Sequence, residues 1–123
     1  MNPEETDNSD LSDRTFNFSR RVIRLYSAMP KSTLAQVLGK QLLRSATSIG
    51  ANYREAKYAR SRPEFIAKIG DCMKETAESE YWLDLIIIEQ IINPTRVSPL
   101  RTEAGQLAAI FTAILKSSKN QTV

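Results

Sequence analysis

Histidine is absent from this 123-residue sequence, and cysteine occurs once, at position 72. Without histidine, the commonest zinc ligand sets and general bases are missing. A single cysteine cannot form an intramolecular disulfide, and no histidine is present to activate its thiol. The four glycines are scattered singly, so no glycine-rich phosphate-binding loop is formed. We therefore predict no catalytic residues, no metal site and no cofactor.

Long apolar runs are also lacking. None approaches the roughly 20 residues that span a bilayer, and residues 1–5 are acidic where a signal peptide would be basic. We therefore predict a cytoplasmic protein with no membrane partner. A length of 123 residues and an apolar content of 41% fit one domain with one core.

Charge is distributed by segment, although the net charge is only +3. Residues 1–13 contain five acidic side chains and no basic one, whereas residues 14–62 contain eleven basic side chains against Glu55 alone. Residues 63–92 are acidic again, with seven acids against two lysines. Because residues 1–13 have few apolar side chains to bury, we predict that they form a disordered acidic tail.

From Arg14 onward, apolar residues recur at spacings of three and four, the period of an α-helix, with no sustained strand-like alternation. The predicted helices cover about residues 14–28, 33–60, 61–92 and 98–116. Because the connections have only a few residues, sequential helices must lie antiparallel. The sequence thus predicts an all-α fold, an antiparallel up-down-up-down four-helix bundle over residues 14–118, with a frayed tail at 119–123.

The helix boundaries depend on local signals. Residues 61–64 (Ser-Arg-Pro-Glu) combine a serine N-cap, a proline in the first turn and a glutamate that can close a capping box. They predict the start of the third helix. Ser98 and Pro99 have the same serine-cap and proline pattern and predict the start of the fourth helix. Asn93-Pro94 predicts that the third helix ends at Ile92.

Two sets of reactive side chains lie on the third helix. Cys72 follows the apolar stripe, which favours a buried hydrophobe over a reactive thiol. Four acidic residues lie close together along the same helix: Glu75, Glu78, Glu80 and Asp84. Metal sites in bundles use Glu-x-x-His motifs and glutamates from several helices, whereas here only Glu55 stands on the second helix. A solvated or salt-bridged face is therefore favoured over acid/base or di-metal chemistry.

Residues 81–92 contain nine large apolar side chains among twelve. A surface helix of a bundle needs only one apolar stripe, so the extra surface is either buried inside or faces another subunit. We favour the second alternative, a homo-oligomer with Tyr81, Trp82, Leu85 and Ile88 in its interface.

Residues 45–56 are small and polar in the middle of a helix, which helix propensity alone would not select. Asn52 falls on the predicted inner stripe with Ile49 and Ala56. One interpretation is a close helix crossing, with Asn52 hydrogen-bonded internally to a glutamate of the third helix. The other makes Asn52 and Glu55 part of a functional site.

Residues 44–56 resemble the "R-A-x-S-I-x-x-N-I-A-E-G" signature of the bacterial four-helix bundle proteins, also named ribosomal-RNA intervening-sequence or S23-like proteins. Residues 61–65 (S-x-x-E-F) and 74–83 (K-E-x-x-E-x-x-Y-W-L) are similar to two further motifs of that family. The residues that match its motifs include Ser48, Asn52, Glu55, Glu64 and Glu78. Tyr53-Arg54 and Ala56 depart from the pattern, where Ile-Ala and Gly are common.

The resemblance covers about residues 16–118. It implies a fold similar to that of the accessory protein of diversity-generating retroelements, and a ring-shaped homopentamer. It implies no catalytic residues.

The function that the sequence favours is a non-catalytic oligomeric adaptor that contacts RNA, DNA or an acidic protein through its basic segment. The cations predicted to bind nucleic acid are Arg44, Arg54, Lys57, Arg60 and Arg62, with Arg20, Arg21 and Arg24 as additions. Pairing of these cations with the acidic third helix is an equally good explanation of the charge pattern. A purely protein-binding scaffold and an enzyme with a carboxylate or metal site are the alternative functions.

Overall fold

The computed structural model describes residues 8–120 as four α-helices, with no strand among them: α1 (Asn8–Ala28), α2 (Thr33–Lys57), α3 (Arg62–Ile88) and α4 (Pro94–Asn120). Each helix packs against the next, and α1 also contacts α4, which closes the bundle. Residue numbers rise along α2 as they fall along α3, since Ser45 contacts Ser79 and Glu55 contacts Lys68. The predicted all-α four-helix bundle is confirmed.

The core runs along the inner faces of the four helices, where their apolar stripes meet. Its largest fully buried apolar side chains are Phe18, Val22, Leu42, Ile49, Ile69, Leu83, Ile86, Val97, Leu107 and Phe111. Burying one side chain of this size contributes about 1.5–3 kcal/mol. The stripe pattern is therefore sufficient to hold helices whose individual propensities are unremarkable.

The first helix begins at Asn8, which corrects the start predicted at Arg14. Residues 8–13 form the first turns of α1 although their composition is that of a tail. The reason is tertiary: Leu11 continues the stripe of Phe18 and is buried against the bundle. The remaining parts of the predicted tails, residues 1–7 and 121–123, lie outside the described residues.

The junction of α3 and α4 also differs from the prediction, because α3 ends at Ile88 and not at Ile92. Gln90 adopts a left-handed conformation with φ of 50°. Its N–H donates to the Ile87 carbonyl, and the Ile91 N–H donates to the Ile86 carbonyl, each at 3.1 Å. These two bonds form a Schellman motif. Glutamine is an uncommon residue at that position, so residue preference does not predict this helix end.

The fourth helix begins at Pro94, four residues before the predicted Ser98 start. Asn93 Oδ1 accepts a hydrogen bond of 3.1 Å from the Thr95 N–H, so Asn93 acts as the cap and Pro94 occupies the first helical position. Pro99 lies inside the helix. The predicted start of α3 is confirmed, since the Ser61 hydroxyl accepts from the Glu64 N–H at 3.2 Å.

Candidate functional site

Four exposed cations surround the connection between α2 and α3, at one end of the bundle: Arg54, Lys57, Arg60 and Arg62. We call this set the basic turn. Lys57 Nζ donates to the Ser12 hydroxyl at 3.0 Å, which ties the turn to the start of α1. Within residues 8–120, none of the three arginines forms an ion pair. The Glu64 carboxylate accepts from the Arg60 backbone N–H at 2.9 Å, which closes the cap of α3.

Arg44 is engaged differently from the basic turn. Its guanidinium forms ion pairs with Glu78 and, at 3.2 Å, with Glu75 of α3. The hydrogen bond to Glu78, and then the one to Glu75, raise the pKa of Arg44. The hydrogen bond from the Trp82 indole, followed by that from Arg44, lowers the pKa of Glu78. Arg44 is therefore held by the acidic third helix, as the internal-pairing explanation expects.

The other two carboxylates of the acidic cluster are paired as well. Arg101 of α4 contacts Glu80 and Asp84, each at 2.7 Å. The Asp84 hydrogen bond is the main reason that the pKa of Arg101 is raised. No group of three or more His, Cys, Asp or Glu side chains suited to a metal ion occurs in the described part of the chain. The cluster is a salt-bridged face between three helices.

The family-motif residues of α2 serve local structural roles. The Ser48 hydroxyl donates to the Arg44 carbonyl at 2.8 Å, and Asn52 Nδ2 donates to the Ser48 carbonyl at 3.0 Å. Asn52 thus bonds within its own helix, which corrects the predicted bond to a glutamate of α3. Glu55 pairs with Lys68 at 2.6 Å and is exposed.

Tyr53 occupies the inner position that the sequence assigned to Asn52. It is buried, its ring centroid lies 6.3 Å from that of Phe111, and burial raises the pKa of its hydroxyl. The sequence offered only one sign of this role, because tyrosine here is a departure from the family pattern.

The small residues of α2 permit a close crossing with α3. Ser45 and Ser79 are both buried, and Cys72 Sγ lies 3.6 Å from the Ile49 carbonyl oxygen. Burial, and secondarily the charge of Asp71, raises the pKa of the Cys72 thiol to about 12. The predicted burial of Cys72 is confirmed, and the thiol is protonated at neutral pH.

Of the four residues predicted in the oligomer interface, two are exposed and two are half-buried. Tyr81 is 58% exposed and Ile88 72% exposed, whereas Trp82 and Leu85 are half-buried. The Tyr81 and Trp82 rings pack edge to face, with centroids 5.1 Å apart.

Two residues of α2 extend this surface. Leu34 and Val37 are each 54% exposed, and the antiparallel register set by Ser45 and Ser79 puts them at the same end of the helix pair as Ile88. Leu34 precedes Leu38 by four residues, a spacing that predicts it on the inner stripe of α2. That prediction is wrong, because Ala35 and Leu38 are the buried residues there. We call the combined surface the apolar face; its members are Leu34, Val37, Tyr81, Trp82, Leu85 and Ile88.

Arg20, Arg21 and Arg24, the predicted additions to the nucleic-acid site, lie elsewhere. They follow α1 away from the basic turn and line grooves on the side of α4. None of the described helices carries an apolar stretch that could cross a bilayer.

Comparisons with known proteins agree with this architecture. A search of curated proteins finds no match. The chain is similar to a solved structure of a protein of unknown function from the S23 ribosomal protein family of Bacteroides thetaiotaomicron. The two are 35% identical, the match covers 89% of this chain and 97% of that one, and the TM-score is 0.82. Residues 7–113 match the family of 23S rRNA-intervening sequence proteins. Because that match spans most of its length, the chain belongs to the 23S rRNA-intervening sequence protein family.

Proposed function

We propose that this chain is a non-catalytic adaptor that assembles as a homo-oligomer through the apolar face and contacts nucleic acid through the basic turn. The observation that best supports the nucleic-acid contact is the distribution of ion pairs. On α3, Glu75 and Glu78 pair with Arg44, and Glu80 and Asp84 pair with Arg101. Glu55 of α2 pairs with Lys68. None of these carboxylates pairs with an arginine of the basic turn. Because no described carboxylate pairs with these arginines, we infer that they contact an external anion.

The basic turn is better suited to binding a phosphate backbone than to reading a base sequence. Its exposed guanidinium groups can form bidentate bonds to phosphates. Two exposed aromatic side chains, Phe16 and Tyr58, line a groove with Arg54 and Lys57. Any base stacking on them would add affinity without reading sequence, because every base has a stacking face. Binding is therefore expected to be electrostatic, with weak sequence preference and strong salt dependence.

The apolar face supports self-association. Four of its six members, Leu34, Val37, Tyr81 and Ile88, are more than half exposed. Large apolar patches on a protein surface are typical of interaction sites. Aromatic residues such as Tyr81 and Trp82 are frequent anchors of interfaces. The resemblance to the family favours a pentameric ring, in which every subunit repeats the basic turn and avidity rises without new contacts.

Filter binding of structured RNA and duplex DNA at low and at physiological salt tests the nucleic-acid contact. The double variant Arg60→Gln/Arg62→Gln should flatten the slope of log K against log salt by about 1.8 on duplex DNA, because two phosphate contacts are lost. Lys40→Gln/Lys74→Gln removes the same charge from exposed positions elsewhere and serves as the matched control. Absence of binding at low salt would favour the protein-binding scaffold.

Light scattering tests the assembly, since one chain has a mass of 13.9 kDa. We expect a multiple of that mass for the wild type and a smaller assembly for Ile88→Glu. Ile23→Glu makes the same change at another exposed apolar side chain, on α1, and should leave the mass unchanged. A wild-type mass equal to one chain at micromolar concentration contradicts self-association. Metal retained through purification and lost in Glu78→Ala would instead favour the enzyme alternative.

A further inference from the structure

The side of the bundle between α1 and α4 is its most open side. These two helices share fewer contacts than the other neighbouring pairs, and two adjoining grooves run between them. Five arginines line the grooves, and one of them, Arg14, pairs with Glu103. We call the other four the arginine groove: Arg20, Arg21, Arg24 and Arg96. Arg21 and Arg24 line both grooves, so the charge is continuous from one to the next.

The described residues do not neutralise the arginine groove. None of its four members forms an ion pair within residues 8–120. The one carboxylate in the lining, Glu103, receives hydrogen bonds from Arg14 at 2.8 and 3.1 Å. Among the described residues, Arg14, Arg44 and Arg101 pair with acids, whereas these four arginines form no ion pair.

This arrangement opposes folding. Arg96 lies in the first turn of α4, where the positive end of the helix dipole disfavours a cation, and no acidic residue of that turn compensates. Arg20 and Arg24 are four residues apart on α1, a spacing at which like charges destabilise a helix. Positive charge is thus concentrated where the folded protein gains nothing from it, which is typical of a site whose stabilisation comes from a ligand.

We propose that the arginine groove is a second nucleic-acid site, which binds the phosphates of a strand and is separate from the basic turn. The inference rests on the proposed function. Lys57 contacts Ser12, and the groove arginines of α1 lie eight to twelve residues further along that helix, roughly 12–18 Å away along its axis. One protomer therefore offers two points of contact to a nucleic acid.

A phosphate backbone fits the groove better than an acidic peptide. Guanidinium groups one helical turn apart match a ligand whose negative charges are closely and regularly spaced. A peptide would also need a pocket for an apolar anchor. Of the described apolar residues that line the groove, Leu25 is 4% and Leu100 3% exposed, which leaves the small ring of Pro99 as the exposed apolar surface.

Fluorescence anisotropy with a labelled single-stranded RNA oligonucleotide tests the assignment. The groove variant is Arg24→Gln/Arg96→Gln, the turn variant is Arg60→Gln/Arg62→Gln, and Lys40→Gln/Lys74→Gln is the control; each removes two positive charges. The groove variant should bind more weakly at low salt, and its slope of log K against log salt should fall by about 1.4. Without RNA, it should also melt at a higher temperature than the wild type in low salt, a gain that high salt removes.

The outcomes separate this inference from the proposed function. If the groove variant binds like the control while the turn variant loses affinity, the proposed function stands and the second site is wrong. If only the groove variant loses affinity, the groove is the site and the basic turn is not. Displacement of RNA by poly-glutamate at equal charge concentration assigns the groove to acidic proteins and overturns the inference. An absence of RNA binding by the wild type at low salt also overturns it.

Discussion

The hydroxyl oxygens of Ser45 and Ser79 lie 2.8 Å apart, and both side chains are fully buried where α2 crosses α3. No space remains for a larger side chain on either helix. We expect Ser79→Leu to destabilise the fold by about 1–3 kcal/mol through overpacking, although leucine is the better helix former. Urea denaturation at a fixed protein concentration measures the change. Ala77→Leu, two residues away on an exposed position, should have little effect; equal losses for both would contradict the close crossing.

Gly39 and Gly70 both lie inside helices, but replacing each by alanine should change the stability of the fold in opposite directions. A Cβ atom at Gly39 would lie 2.7 Å from Cδ1 of Tyr26, whose hydroxyl is held by a 2.7 Å hydrogen bond to Gln36. A Cβ atom at Gly70 would meet nothing within 4 Å. We expect Gly70→Ala to stabilise by about 0.5–1 kcal/mol and Gly39→Ala to destabilise. A gain in stability for Gly39→Ala would show that Tyr26 can move aside.

The Cys72 thiol should be protected from labelling in the native protein. It is inaccessible, and burial raises its pKa to about 12, so little thiolate is present near neutral pH. We expect labelling by a thiol-reactive disulfide reagent to be slow in buffer and fast in urea. Gly70→Ala should slow it further if the reaction proceeds through unfolding. Rapid labelling without denaturant would contradict the burial of this side chain.

The contacts of Glu78 should contribute to the pH dependence of stability. Its pKa is lowered in the folded state, first by the hydrogen bond from Trp82 and then by Arg44. A lowered folded pKa gives stability that is present above the unfolded value of about 4.3 and is lost as the pH falls through the folded value.

Glu78→Gln should therefore be less stable than the wild type near pH 7, and the difference should shrink in acid. Because Glu78 is 36% exposed, we expect a loss of at most about 1 kcal/mol. Urea midpoints at pH 7 and near pH 3 measure it. Glu89→Gln is the control, since Glu89 forms no ion pair within the described residues. An equal effect of both variants at both pH values would exclude this role for Glu78.

Much of the candidate site could be predicted because it is set by local sequence. The cap at Ser61 sets where the connection between α2 and α3 ends. The cations of the basic turn lie on or next to this connection, so they are close in sequence. The apolar band of α3 was likewise apparent from its composition. Leu34 and Val37 joined it only through the antiparallel register of α2 and α3, which is a tertiary property.

The helix ends show the same division. The left-handed Gln90 and the burial of Leu11 decide where α3 ends and α1 begins. Neither follows from residue preference, because glutamine rarely takes that conformation and residues 8–13 have the composition of a tail. Leu11 is buried against other helices, and Ile91 and Ile92, which follow Gln90, pack against the core.

The sequence by itself determined the four helices, their antiparallel order and the segregation of charge, because periodicity and short connections act within each segment and its neighbour. Only the tertiary structure decided which cations are paired. Arg44 and Arg101 pair with acids of α3 because the packing of α2 and α4 on that helix brings them within reach. Arg24 of α1 and Arg96 of α4 instead line a shared groove, and no described acid pairs with either. Ion pairing requires separations of a few ångströms, and such distances between remote residues exist only once the helices are packed.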